Sequence, residues 1–272
     1  MEHEHSFLWN SGDTLILLLA GIIWTGYFMA GIVSNRHRSL QKWPRYRYVL
    51  WTAGILCAGA TVVGPLQKLA HHDFTLHMAG HLLWGMLAPL LIVLAAPITL
   101  MLRTLPVSMG RRLSRLLQLT YFHWVIHPVM AALLNTGGLW LLYTTDLFML
   151  MHKKVWINLL IHFHVFMAGF VFTMSFIYIE PVSRRYSFKY RAIVLVTALA
   201  GHGILSKYLY AHPPAGIEKT DAETGSMLMY YGGDVIDALL IIVFCYQWYQ
   251  AARPRVYENF PSQQKEAKTR LP

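Results

Sequence analysis

His77 and His81 stand four residues apart inside one long apolar run, and Asp234 and Asp237 stand three apart inside another. His162 and His164 lie in a third such run and His202 in a fourth. Ionisable groups buried in apolar helices are costly and point to function by default. Imidazole suits copper and zinc, and a nearby carboxylate serves as a ligand or orients one. Pairs at i,i+4 and i,i+3 share a helix face, so each pair can aim at one point. His162 and His164 are about 200° apart around a helix, so only one of them can join the others. His162 is preferred, because Asn158 lies one turn before it on the same face. The alternatives stay open. A His pair at this spacing also bonds helix carbonyls or water, and two aspartates also form a proton path.

The elements that must position these groups are membrane helices. The chain is 56% hydrophobic and 13% charged, where soluble domains carry about 25% charge. A bilayer core of about 30 Å takes about 20 apolar residues. Seven segments qualify: residues 14–33, 48–66, 74–102, 124–143, 155–179, 191–210 and 228–249. The expected fold is therefore all-α, a seven-helix transmembrane domain over residues 1–253 with a polar tail over 254–272. Pro89 and Pro97 should kink the long third segment, which membrane helices tolerate.

Loop charge sets the expected orientation. Arg36, Arg38, Lys42, Arg45 and Arg47 fill the first loop, and Arg103, Arg111, Arg112 and Arg115 the third. The fifth carries Arg184, Arg185 and Lys189, and the tail Arg253, Arg255, Lys265, Lys268 and Arg270. On the other side Lys68, Lys153, Lys154, Lys207 and Lys219 are balanced by nearby acids. The positive-inside rule puts the odd loops and the tail in the cytoplasm and the N-terminus outside. At 1.5 Å per residue, His77, His81, His162, His164, His202, Asp234 and Asp237 then lie roughly 5 to 13 Å below the outer helix ends. Four helices bring metal-ligating groups to one level.

Between these spans, residues 107–122 alternate Arg111, Arg112 and Arg115 with leucines at helical spacing, an amphipathic helix on the cytoplasmic membrane surface. The net charge of +10 falls in such short clusters, which fits anionic lipid and argues against nucleic acid. The start, MEHEHSFLWNSGD, lacks a positive n-region, so no cleaved signal is expected. Cys57 and Cys245 stand alone in apolar runs and read as core residues, not a disulfide framework. His3, His5, His71, His72, His152 and His212, with Met78, Met151, Met227 and Met229, place further soft or borderline ligands toward the outside. His123 and His127, also four apart, lack polar partners at their level and read as interfacial structure.

The strings that carry these residues resemble a known family. His77-Met-Ala-Gly-His81-Leu-Leu followed by Ala88-Pro89-Leu-Leu and Ala96-Pro97 is similar to the CtaG-type assembly factors of caa3-type cytochrome c oxidase. His162 with Phe166 and Gly169, the run from His202 to Tyr210, and Tyr230-Tyr-Gly-Gly-Asp234-Val-Ile-Asp237 carry the same likeness. It covers residues 50–250. The resemblance implies a multi-spanning protein of the bacterial cell membrane that is not an enzyme. It implies copper delivery to the CuB centre of the oxidase's largest subunit, with a soluble copper donor as a further partner. Two other classes are weighed beside it. A pair of histidines from facing helices also suits a b-type haem in an electron carrier. A copper or proton transporter would need polar residues continuing inward, where the segments are nearly all apolar. A zinc hydrolase would need a general-base motif such as H-E-x-x-H, which the chain lacks.

Overall fold

The computed structural model describes residues 11–37, 40–64, 67, 69–70, 73–182 and 184–254. His3, His5, His71, His72 and the tail beyond Pro254 lie outside the described residues. Within them the fold is helical, with no strand. Helix α1 spans Ser11–Arg36 and α2 Arg45–Val62. Helix α3 runs Phe74–Thr104 with a π-helical turn at Leu82–Leu87 and a break at Ala96. The short α4 (Val107–Leu117) and α5 (Thr120–Val125) follow. Helix α6 covers 128–144, with its own π-helical turn at Leu133–Gly137. Then come α7 (Leu147–Lys153), α8 (Val155–Phe176), α9 (Phe188–Ala211) and α10 (Lys219–Ala252).

Five helices, α1, α3, α8, α9 and α10, are long and apolar enough to cross a membrane. Helix α2 opens on Arg45 and Arg47, which lower its mean hydropathy. Helix α6 starts four residues later than its apolar run, because His127 precedes Pro128 and is held extended (φ −62°, ψ 129°). The amphipathic stretch is likewise divided, as Leu119 leaves helical geometry between α4 and α5. Helix α10 starts nine residues before the apolar segment expected there, since its first turns are polar and hydropathy marks only the apolar part.

The large side chains that α1 turns outward along its middle are aliphatic or Met. Leu15, Leu18, Ile22, Ile23 and Met29 are each more than half exposed. A continuous band of this kind is what lipid would cover.

Helix α3 is the central element, packed on α2, α8 and α10. Its contact with α8 is backbone to backbone: a Cβ on Gly169 would sit 2.0 Å from the Gly85 carbonyl oxygen. That approach falls in the π-helical turn, a feature that often accompanies functional sites. At the break, Ala96 adopts φ 57°, a costly conformation for a residue with a Cβ. Pro97 bars Ala96 from the right-handed helical region. Buried Glu180 then accepts from the Ile98 amide (2.7 Å), the Thr99 amide (2.8 Å) and the Thr99 hydroxyl (2.6 Å). The Tyr27 hydroxyl donates to the Ala95 carbonyl at 2.7 Å. Pro89 follows directly on the π-helical turn and sits in the first turn of a regular segment, where its missing N–H costs little.

Two further contacts clamp helix ends. Asp221 of α10 accepts from the Phe74 and Thr75 amides and the Thr75 hydroxyl, fixing the start of α3. Arg191 is buried at the other end, where Nη1 donates to the Phe176 carbonyl at the end of α8. Its guanidinium lies 3.9 Å from the Tyr178 ring centre. A cation there complements the negative end of the helix dipole.

Candidate metal centre

With α3 fixed at both ends, His81 faces into the bundle from the turn just before the π-helical segment. His202 meets it from the middle of α9. The two rings lie 6.2 Å apart between centroids and within 28° of parallel. Both side chains are buried. The Nε2 atoms of both are inaccessible to solvent and have no hydrogen-bond partner among the described residues. A buried donor or acceptor left unmade costs about 1 to 3 kcal/mol, and such orphans call for an explanation. Two imidazoles on opposite sides of one ion, each at about 2 Å, would have ring centres roughly 6 Å apart. Two such imidazole nitrogens are a donor set that suits a borderline or soft metal ion.

Local sequence allows this approach. Gly233 of α10 lies against the His202 ring, and a Cβ there would be 2.7 Å from His202 Cε1. Asp237, one turn along α10, is buried and lines a small internal cavity of about 30 Å³ with His202, Asn135, Thr136 and Thr173. That space holds a water molecule or two. Asp234 is on an exposed face of α10, with its charge within reach of both His202 and Asp237.

The other histidines are placed differently. His162 is near His81, and both line a larger chamber at the Phe74 end of the bundle. Its Nδ1 donates to the Asn158 carbonyl at 2.9 Å, which leaves the lone pair on Nε2 as in metal-binding histidines. His164 points the other way, donating from Nε2 to the Leu134 carbonyl of α6. His77 shares the chamber but sits one turn further out, with Nε2 3.1 Å from the Tyr143 hydroxyl. Thus His81 has both His202 and His162 as neighbours, Asp237 shares a cavity with His202 alone, His77 lies one turn apart, and His164 is turned away. Among the described residues no three His, Cys, Asp or Glu side chains form a ready-made ion cage. His123 bonds the Leu119 carbonyl, and His127 packs edge-on to Tyr186 and Tyr190.

Several contributing residues carry no chemical signature of their own. Trp84, in the π-helical turn, donates from Nε1 to the His162 carbonyl at 2.7 Å and ties α3 to α8. Asn135 and Thr136 sit in the π-helical turn of α6. A pair of polar residues inside an apolar run was the available sign.

The family model for cytochrome c oxidase caa3 assembly factors, Caa3_CtaG, matches residues 25–251. The chain belongs to this family. All of the clustered residues fall inside the matched span. Among similar proteins, an uncharacterized protein of Mycobacterium leprae is 30% identical over 197 residues, 70% of this chain. Uncharacterized proteins of Mycobacterium bovis and Mycobacterium tuberculosis are each 28% identical over 190 residues, 67% of this chain. The match spans only 29 to 30% of the length of these relatives. No solved structure matches the chain. The five long apolar helices of the described residues fit a membrane protein of this family.

Proposed function

We propose that this assembly factor holds copper between His81 and His202 and hands it to the CuB centre of the oxidase's largest subunit. The observation that carries the proposal is the pair of partnerless, buried Nε2 atoms with rings 6.2 Å apart. A site with two protein ligands and no closed cage suits a cargo that must leave. Cu(I) is the ion that fits an imidazole pair in apolar surroundings best, since zinc sites close with four ligands. His162 and Asp237 stand close enough to assist loading and release. The protein acts without catalytic turnover.

Seven spans place the chain in the bilayer, with the N-terminus outside and the C-terminus in the cytoplasm. Helices α2 and α6 complete the crossing beside the five longer ones. Support comes from the aliphatic exposed surface and from the arginine-rich loops. The copper pair then lies within the outer half of the membrane. An exposed carboxylate at that depth is costly facing lipid, so Asp234, among exposed Tyr231, Val235 and Ile242, marks the side on which the oxidase docks.

A haem between the same rings is the competing class. It has little support here, because Gly233 lies against His202, Gly85 lies against His81 and the adjoining cavity is about 30 Å³. Metal analysis and a visible spectrum of the detergent-purified chain separate the two. Copper without a Soret band is expected; a Soret band with sharp reduced α-bands would overturn the proposal. Gly233→Ala tests the geometry more finely. The added methyl should displace the His202 ring and weaken Cu(I) binding about 10-fold, read by competition with a chromophoric chelator, while the circular dichroism spectrum stays unchanged.

A further inference from the structure

A chamber of about 180 Å³ lies between the His81–His202 pair and the Phe74 end of the bundle. Its wall includes a second set of soft and borderline ligands. His77 on α3 and His152 on α7 approach with ring centroids 6.1 Å apart, nearly the separation of the inner pair. Met151, only 3% exposed, lines the same chamber. His152 donates from Nδ1 to the Phe148 carbonyl at 2.9 Å. That bond fixes the orientation of the ring, as the second nitrogen does for a histidine held toward a metal.

Around this set the chamber walls are mixed, with Leu142, Ile161 and Val165 beside Thr61, Asn158 and Tyr143. Phe148 packs against both imidazoles, and Phe74 lies against His77. Two imidazoles with a thioether favour Cu(I), whereas a thioether adds nothing for zinc or magnesium. His81 and His162 line the inner wall of the chamber, so an ion released here meets them next.

We infer that His77, His152 and Met151 form an outer Cu(I) station that loads the inner His81–His202 pair. This rests on the inner pair being a copper site. The ion stays Cu(I) throughout, and each move is an exchange of one protein ligand for another, with no electron transferred.

The test is a titration of the full detergent-purified chain with Cu(I) under anaerobic, reducing conditions against a chromophoric chelator. X-ray absorption at the copper edge is recorded on the same samples. Wild type should bind two ions, with sulfur in the averaged coordination shell. Met151→Leu, close in volume, should remove the sulfur signal and weaken one ion at least 10-fold. His152→Ala should bind one ion with nitrogen ligands only. Leucine at both 81 and 202 should also leave one ion, with the sulfur signal enriched. Wild-type stoichiometry and spectrum in both Met151→Leu and His152→Ala would overturn the outer station and leave the inner reading standing. Unchanged binding in the 81/202 variant would overturn the inner reading instead, and no copper in the wild type would overturn both.

Discussion

A chain carrying His81→Leu and His202→Leu is expected to lose its inner copper ion yet melt at the same temperature or higher. The binding side follows from ligand removal: taking away both imidazoles should weaken that ion by well over 100-fold, since even orienting partners are worth about 10- to 100-fold. The stability side follows from the orphaned nitrogens. Two buried Nε2 atoms have no hydrogen-bond partner among the described residues. Each such group costs about 1 to 3 kcal/mol, and replacing a buried polar pair by apolar groups of similar shape is neutral or stabilising. Leucine fills much the same volume among Leu82, Leu205 and Ile236. Chelator competition and a thermal melt in detergent read the two effects separately. Binding lost with stability kept marks a functional pair. A melt lowered by several degrees would mean that the imidazoles hold the fold together instead.

Glu180→Ala should have the opposite signature, a large loss of stability. Glu180 is 1% exposed and accepts three hydrogen bonds at the break in α3. Its removal leaves two amides and a hydroxyl unpaired, beside an Ala96 already at positive φ. Hydrogen bonds to a charged group are worth about 1.5 to 3 kcal/mol each, so a loss of about 3 kcal/mol or more is expected. Glu180→Gln keeps one acceptor oxygen and should lie between wild type and alanine. The melt of each variant checks the order. His81 is distant along α3, so any copper affinity of the His81–His202 pair should change far less than stability. Equal melts for the three chains would remove Glu180 from the account of α3.

The five long helices could be read from apolar run length because each is long and apolar enough to cross a bilayer with few interruptions. Helices α2 and α6 were harder, for separate reasons. Arg45 and Arg47 dilute the first, and Pro128 shortens the second. The π-helical turns at Leu82–Leu87 and Leu133–Gly137 leave no mark in composition, since a shift from i+4 to i+5 bonding changes no residue type. Yet the first of them carries Trp84 and Gly85 to α8.

For the candidate site, spacing separated His162 from His164, and the two rings do turn to different helices. Spacing put His77 and His81 on one face but could not say that α7 would bring Phe148, Met151 and His152 against the outer one alone. Short α7 has no long apolar run to announce it. Asp234 and Asp237 share a face by spacing, yet only Asp237 is buried. Which edge of that face meets α9 and which stays exposed depends on packing that sequence periodicity does not contain.

The most direct test is copper-edge X-ray absorption on the His152→Ala chain loaded with one equivalent of Cu(I). Two imidazoles at a short, nitrogen-only distance are expected, and that signal should vanish when His81 and His202 are also replaced by leucine. An unchanged spectrum after that replacement would contradict a copper site between α3 and α9.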